Sequence, residues 1–246
     1  MEEPTRLELE VSAQPTDDTC GPTALHGVYR YWRDPITLEQ VIAEVPRLED
    51  GGTVASLLGT HALQRGYRAS LHTCNLRVFD PSWFRDARLA IPIATLRAKL
   101  DAQAEAKPKA KLRFVTDAHL GFLAAGGVIR FEAPSTRLLA RVLRRGTPVL
   151  VGLSATFLYQ AVRERREDCV PDDVGGYPAG HFVVLHGYDP RRRMVHVADP
   201  LEGNPGFATR RYEVGLERLV AAILLGAITY DGNLLVIEPK QRKGAR

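Results

Sequence analysis

The spacing of apolar residues changes along this chain, and the change limits the architecture that the chain can adopt. Near the start, apolar residues recur at intervals of three and four, at Leu25, Val28, Tyr29 and Trp32. This period predicts a helix that begins at Cys20. The second half instead contains apolar runs that predict strands, at 149–153, 181–188, 194–198, about 208–214 and 233–237. Helices followed by strands favour an α+β fold with a mostly antiparallel sheet over repeated βαβ units.

Local signals predict the remaining elements. Thr37 and Gln40 have the spacing of a capping box, which predicts the start of a short helix. Further helices are predicted at about 53–64, 82–106 with a break near residue 92, 136–145 and 216–228. Further strands are predicted at 7–11, 67–73 and 128–132, and an exposed loop at 107–111.

The length of the chain favours a single folding unit. A chain of 246 residues can bury a sizeable core as one domain. We expect one domain over 1–246, in which residues 50–130 are an insertion that elaborates the helical half. The irregular loop 166–180 precedes a predicted strand, and this loop and the insertion are expected to shape a cleft.

Charge and hydropathy argue against two classes of partner. The net charge is only +4, and basic residues concentrate at 191–193 and 240–246. No basic face is interleaved with aromatic residues, so these runs are interpreted as solvated surface and no nucleic-acid partner is expected. The most apolar segment, 219–228, has about half the length that a bilayer span needs. It predicts a buried helix, and no membrane association is expected.

The number of cysteines bears on where in the cell the protein is expected to reside. The chain has three cysteines, at Cys20, Cys74 and Cys169. An odd and sparse set argues against a disulfide framework and favours a reducing environment. The first residues have neither the basic stretch nor the apolar run of a signal peptide. A cytoplasmic location is therefore expected, and the oligomeric state is left open.

Cys20 is the candidate nucleophile. It lies at the start of the predicted helix, just before Gly21 and Pro22, where unpaired N–H groups and the helix dipole favour a thiolate. Because Gly21 has no side chain, a substrate carbonyl is expected to approach closely there. The alternative is that Cys20 is a small buried apolar residue, which is the commoner role of a cysteine.

A general base must come from the seven histidines. Histidines on predicted helices among apolar residues are more often structural than catalytic, and this applies to His26 and His61. The residues that flank His72 and His119 indicate neither a structural nor a catalytic role. The remaining candidates are at positions 181, 186 and 196.

Strand parity selects among these three. His181 and His186 share one predicted strand, and their spacing directs them to opposite faces unless a bulge intervenes. A turn near residue 190 or 191 would place His181 roughly opposite Asp199 and on the same face, whereas His196 has the other parity. This favours His181 as the base and Asp199 as the carboxylate that orients it. The alternative is a histidine packed at a strand end behind an Asp-Pro turn.

Gln14 is a candidate oxyanion donor. Acyl transfer develops a negative oxygen that needs preorganised hydrogen-bond donors. The side-chain amide of Gln14 and the backbone N–H of Cys20 would supply two. The alternative is that Gln14 is an ordinary surface loop residue.

The ordered motifs resemble the bacteriocin-processing (double-glycine leader) cysteine peptidase-like family of the papain-like clan. They are Gln14, Cys20-Gly21-Pro22-Thr23-Ala24-Leu25, Gly180-His181-Phe182-Val183-Val184, Gly187-Tyr188-Asp189 and Asp199-Pro200. The resemblance implies a helical subdomain with the nucleophile, packed on a mostly antiparallel sheet with the base. It implies Cys20 as nucleophile, His181 as general acid/base, Asp199 as orienter and Gln14 as oxyanion donor, with no cofactor. Residues 50–130 do not resemble the family.

The resemblance also implies a class of reaction. The best-known members are transporter domains that cut leader peptides after paired glycines, but this chain lacks a phosphate-binding Gly-x-x-x-x-Gly-Lys-Ser/Thr motif. We therefore expect a stand-alone cysteine peptidase or related amide hydrolase that acts on a peptide-like substrate through a thioester. Three alternatives stay open. They are an acyl transferase or ligase-like enzyme on the same scaffold, a non-catalytic peptide-binding module, and a zinc site at Cys20, His181 and Asp199.

Overall fold

A computed structural model describes residues 3–48, 51–85, 89–165 and 168–240. The α-helices are Cys20–Tyr31 (α1), Leu38–Glu44 (α2), Ala55–Gln64 (α3), Ile93–Ala106 (α4), Ala110–Ala124 (α5), Thr136–Leu143 (α6), Ala155–Tyr159 (α7) and Leu216–Gly226 (α8). The strands are Thr5–Arg6 (β1), Tyr67–Thr73 (β2), Phe84–Arg85 (β3), Leu89–Ala90 (β4), Val128–Phe131 (β5), Val149–Ser154 (β6), Gly180–Asp189 (β7), Met194–Ala198 (β8), Arg211–Gly215 (β9) and Asn233–Pro239 (β10). Short 3₁₀ turns occupy Pro81–Trp83 and Ala227–Thr229.

The main sheet is mixed but mostly antiparallel. Its strand order is β5-β2-β10-β6-β7-β8-β9, and β1 is added to β7. β2 and β5 run parallel, whereas the other neighbours in this order are antiparallel. β3 and β4 form a separate two-stranded ladder. The predicted α+β class with a mostly antiparallel sheet is therefore confirmed.

Helices cover both faces of this sheet because successive strand residues point to opposite sides. On β7, Val184 packs into an apolar layer with α1 to α5, whereas Val183 packs into a second layer with α6, α7 and α8. Both valines are fully buried. The sheet thus separates two cores, and β7 contributes to each of them.

Most of the apolar segment 219–228 lies in α8, and the prediction of a buried helix is right for one face only, since Leu224, Leu225 and Ile228 are exposed. Leu219, Ala222 and Ile223 are fully buried in the second layer. Within the ranges that the structure describes, no helix is both long and apolar enough to cross a membrane.

Several local predictions are confirmed. At the start of α2, Thr37 Oγ1 accepts a hydrogen bond from Gln40 N at 3.2 Å, and Gln40 Oε1 accepts one from Thr37 N at 3.1 Å. Ser135 caps α6 by accepting a hydrogen bond from Leu138 N. β2 and β8 have the predicted bounds.

The predicted strand at 7–11 is wrong. The strand is the shorter β1, which pairs with Tyr188 and Gly187 of β7. The Leu9 N–H then donates to the Leu7 carbonyl oxygen at 3.0 Å, and this tight turn takes the chain away from the sheet. Leu9 is nevertheless 1% exposed, so its apolar character reflects core packing rather than strand pairing.

The predictions for 82–111 are partly wrong. The first predicted helical piece is instead the 3₁₀ turn after Asp80, followed by β3 and β4; residues 86–88 lie outside the described ranges. Asp80 Oδ1 accepts from Ser82 N at 2.8 Å, which stabilises that turn. The predicted loop ends early because α5 begins at Ala110. Neither α5 nor the short α7 was predicted.

Gly21 lacks a side chain for a reason that differs from the one expected. A Cβ atom at Gly21 would lie 2.6 Å from Thr53 Cγ2 and 3.2 Å from Phe182 Cδ2. The missing side chain at Gly21 therefore lets α1 pack closely against Thr53 and β7, and the space beside it is filled rather than open to a substrate.

Two Gly→Ala substitutions are expected to have opposite effects on the free energy of unfolding. Gly21→Ala should lower it by about 1–3 kcal/mol because the methyl group overpacks a filled interface. Gly121→Ala in α5 should raise it by about 1 kcal/mol, since nothing lies within 4 Å of the added methyl group. Urea unfolding measures both. A Gly21→Ala protein as stable as the wild type would contradict the packing described for this glycine.

Candidate active site

Cys20 is the first residue of α1 and lies on the wall of a cavity of about 510 Å³. The loop before it is held by Thr19, whose Oγ1 donates to the Thr16 carbonyl oxygen at 2.8 Å and accepts from Thr16 N at 3.1 Å. The first N–H groups of a helix have no intrahelical acceptor, so they favour negative charge at this end. Cys20 therefore stands at the positive end of the α1 dipole, although only 8% of the residue is exposed.

His181 lies between Cys20 and Asp199. Its Nε2 is 2.8 Å from Asp199 Oδ1, and the ring lies on the same cavity wall as Cys20, which interacts with it electrostatically. Because Nε2 faces the carboxylate, Nδ1 is the ring nitrogen left for the thiol. Three residues that are distant in sequence are thus brought together, and this arrangement can transfer a proton between sulfur and imidazole.

In the β7–β8 pairing, His181 and Asp199 are offset by about two residues from the directly opposed arrangement that the sequence predicts. Val184 pairs with Ala198, so Asp199 lies beyond the last pair of the ladder and His181 is not directly opposite it. The turn lies close to the predicted position because Asp189 pairs with Met194, and the register shifts at a bulge between Leu185 and Gly187. The offset preserves parity, so the two side chains still share a face.

The charges of His181 and Asp199 stabilise each other. Burial opposes a positive charge on His181, but the Asp199 carboxylate and Cys20 outweigh it and raise the pKa of His181 to about 10. Burial also opposes a negative charge on Asp199, yet the facing imidazole and its hydrogen bonds lower the pKa of this carboxyl. An imidazolium beside Cys20 is the charge that best stabilises a thiolate.

Two tyrosines that sequence reasoning missed also contact Asp199. Tyr159 and Tyr212 each donate a phenolic hydrogen bond to Asp199 Oδ2, at 2.8 and 2.7 Å. The Leu201 N–H donates to Oδ1 at 2.9 Å. Tyr159 lies on the unpredicted α7, so no pattern pointed to it, whereas Tyr212 lay within a predicted strand and could have been found from strand parity.

Gln14 lies on the wall of the same cavity. Its Nε2 donates to the carbonyl oxygens of Thr16 and Asp17 at 3.1 and 3.4 Å, and its Oε1 is buried without a hydrogen-bond partner. Its backbone N–H donates to the Pro200 carbonyl oxygen at 2.8 Å. The loop that carries Gln14 is therefore tied to the segment that follows Asp199.

A second tie joins the same two segments. Arg210 Nη1 donates to the Val11 carbonyl oxygen at 2.7 Å, and the Asp199 N–H donates to the Arg210 carbonyl oxygen at 2.8 Å. Arg210 thus links the chain before Gln14 to the backbone of Asp199.

The other histidines lie away from the cavity wall that carries Cys20, and most have hydrogen-bond or ring partners of their own; Nδ1 of His26 is buried without one. His186 Nδ1 is 3.0 Å from the Leu7 carbonyl oxygen, and the ring of His196 is 5.8 Å from that of His186. The remaining four pack within the helical layer or beside β2 and β5, at His26, His61, His72 and His119. Among the described residues, no group of three or more His, Cys, Asp or Glu is arranged to hold a metal ion.

A buried carboxyl also lies behind the strand that carries His181. A Cβ atom at Gly180 would lie 2.5 Å from Asp231 Oδ2, so the carboxyl fills the space next to this glycine. Oδ2 is 3.1 Å from Thr229 Oγ1, whereas Oδ1 has no hydrogen-bond partner. Burial raises the pKa of Asp231 to about 7. Its place in the loop before β10 gave no functional signal.

Part of the chain matches a known protein family. Residues 134–218 match the Peptidase_C39 like family. The matched segment contains His181 and Asp199, whereas Cys20 and Gln14 lie before it. The match confirms the resemblance that the motifs indicated. A search of curated proteins found no match.

Several solved structures resemble this protein in fold. A C39-like peptidase from Bacillus anthracis is 15% identical over 97% of this chain and 99% of its own, with a TM-score of 0.53. Xylellain, a cysteine protease from Xylella fastidiosa, is 15% identical over 98% and 87%, with a TM-score of 0.47. A double glycine motif protease from an AMS/PCAT transporter, crystallised with the leader peptide, is 14% identical over 98% and 100%, with a TM-score of 0.45. The Bacillus anthracis protein shows that the chain has a C39-like fold.

Replacing Asp231 should change how stability depends on pH. The pKa of Asp231 is raised on folding, so the native state binds its proton more tightly and loses stability as pH rises from about 4 to about 7. Asp231→Asn removes this pH-dependent loss of stability. The free energy of unfolding of the variant should therefore rise by about 1–4 kcal/mol relative to that of the wild type between about pH 4 and pH 7. Chemical unfolding at several pH values measures the difference. Asp173→Asn, at an exposed site, sets the baseline for losing one carboxylate, and identical pH profiles for the two variants would contradict the prediction.

Proposed function

We propose that the chain is a cysteine-type peptidase, on the premise that residues 134–218, which contain His181 and Asp199, match the Peptidase_C39 like family. One observation carries the proposal: the His181 imidazole is hydrogen-bonded to the Asp199 carboxylate and lies beside Cys20 on the wall of one cavity. A buried Cys-His-Asp arrangement on a cavity wall supports nucleophilic acyl transfer.

The proposed reaction has two halves. The Cys20 thiolate attacks the substrate carbonyl, and His181 donates its proton to the leaving amine as the thioester forms. His181 then takes a proton from water, and the resulting hydroxide attacks the thioester and releases the acid and the thiolate. Asp199 holds the ring orientation and stabilises the imidazolium in both halves.

The oxyanion is proposed to lie between the Cys20 N–H and the Gln14 side chain. The Cys20 N–H belongs to the first turn of α1, where backbone donors are free of helical bonds. The Gln14 amide group carries two hydrogens, and both contacted carbonyls belong to the adjacent loop. One hydrogen shared between those carbonyls leaves the other for the substrate oxygen.

The cavity supports an extended, peptide-like substrate. Its wall includes Gly51 and Gly52 from the proposed insertion 50–130, and Cys169 and Tyr177 from the loop 166–180. We propose that both regions select the substrate, within one domain over 1–246. The three cysteines are free, which fits the proposed reducing, cytoplasmic setting.

Cys20 should react with iodoacetamide at lower pH than the other two cysteines. Burial raises the pKa values of Cys74 and Cys169, whereas Cys20 lies beside an imidazolium that stabilises its thiolate. Mass spectrometry of the native protein after brief labelling at pH 5 to 9 measures the order of modification. Equal labelling of Cys20 and the exposed Cys169 throughout this range would count against an activated nucleophile.

Turnover of a peptide library should depend on the proposed residues. Cys20→Ala should abolish cleavage, and Asp199→Asn should lower kcat by roughly 10²–10⁴-fold, because the imidazolium loses its counter-charge. Cys74→Ser, at a free cysteine that does not line the cavity, is the matched control and should retain turnover. Products are analysed with and without added amines, because amide formation in place of hydrolysis would indicate an acyl transferase. Peptide binding that survives Cys20→Ala, with no turnover by the wild type, would indicate a binding module instead.

A further inference from the structure

The Asp199 carboxylate is saturated with hydrogen bonds. Oδ1 contacts His181 Nε2 at 2.8 Å and the Leu201 N–H at 2.9 Å. Oδ2 contacts the phenols of Tyr159 at 2.8 Å and Tyr212 at 2.7 Å. A carboxylate has about four acceptor sites, so these four contacts fill it.

The two oxygens are therefore held differently. Oδ1 faces the imidazole, whereas Oδ2 is anchored by phenols from two separate elements, α7 and β9. Rotation of the carboxylate about its Cβ–Cγ bond would break both phenolic hydrogen bonds. The anchored oxygen thus fixes the direction in which the other oxygen meets His181.

Each phenol is itself held in place. The Tyr159 residue is 5% exposed, and its ring lies 6.0 Å from the His181 ring. The Tyr212 ring stacks on Phe207 with centroids 3.6 Å apart and an interplanar angle of 4°. The Arg218 guanidinium in turn lies 5.4 Å from the centroid of the Phe207 ring. Packing rather than solvent therefore sets the position of both donors.

We propose that Tyr159 and Tyr212 are positioning residues that keep the Asp199 carboxylate ionised and aimed at His181, so that Nδ1 of the imidazole faces Cys20. This inference rests on the proposed peptidase function for its kinetic consequence, but its geometric part concerns His181 and Asp199 alone.

The electrostatics support this assignment. Burial and the Asp199 charge raise the pKa values of both phenols, so they stay protonated as donors at any working pH. Besides Asp199, the titratable groups that interact electrostatically with His181 include Cys20, Glu164 and Asp231. Tyr159 also interacts electrostatically with Cys20, whereas Tyr212 interacts with Asp199, Arg218 and Tyr159, so a changed His181 titration in Tyr212→Phe would report the carboxylate.

The test compares Tyr159→Phe, Tyr212→Phe and the double variant with Tyr67→Phe. Tyr67 is a matched control because its phenol also donates to an aspartate, Asp34 Oδ2, at 3.1 Å. The His181 ring is titrated by NMR, with its signals identified by their loss in His181→Gln. Peptide cleavage is followed across pH, and urea unfolding verifies that each variant is folded.

Each single variant is expected to lower the pKa of His181 by about one unit, because the Asp199 carboxylate is no longer held by both phenols, can turn away from the ring, and stabilises the imidazolium less. The basic limb of kcat/KM should move to lower pH by the same amount. We expect kcat to fall about tenfold with KM changed less than about twofold, and a larger loss in the double variant. Tyr67→Phe should leave the His181 titration and kcat unchanged.

Folded single variants with an unchanged His181 titration would overturn the proposal, as would a loss of kcat that is uniform across pH. Failure of the peptidase function is distinguishable from failure of this inference. In the first case the wild type cleaves no peptide, yet His181 still titrates at lower pH in the two variants. In the second case the wild type cleaves peptides and the variants match it.

Discussion

Burial of the Asp199 carboxylate is the constraint on which the site depends. An ionised group removed from water is costly unless charges and hydrogen-bond donors compensate for its lost hydration. Here the compensation comes from β7, α7, β9 and the backbone just after β8, since each contributes one contact. These elements must all be in place before the carboxylate is stabilised, so the site and the second apolar layer are expected to form together.

The sheet explains how two separate layers build one site. His181 shares the parity of Val183, which faces the layer of α6 to α8, whereas Cys20 begins a helix in the opposite layer. The two residues meet because His181 lies at the end of β7, where a side chain can reach past the strand to the start of α1. Phe182, the next residue along β7, faces the first layer. It packs against Gly21 and fixes how closely α1 approaches the sheet.

Much of this arrangement could be predicted from local rules. The capped helix starts, the apolar strand runs and the parity of His181 and Asp199 depend on nearest neighbours and on simple periods. The exact β7–β8 register could not be predicted, since it depends on a bulge and on Arg193, which adopts a left-handed backbone conformation with φ of 55°. The tyrosines were missed because a tyrosine in a strand or in one short helix is also an ordinary packing residue.

The backbone hydrogen bond from Gln14 to Pro200 has a consequence for access to the cleft. Together with the Arg210 contact to Val11, it joins the wall that carries the amide donor to the wall that carries the carboxylate. An outward swing of the Gln14 loop would have to break both hydrogen bonds and would disturb the backbone around Asp199. The proposed peptide substrate is therefore expected to enter along another part of the cavity wall, which also includes Tyr177 and Pro178.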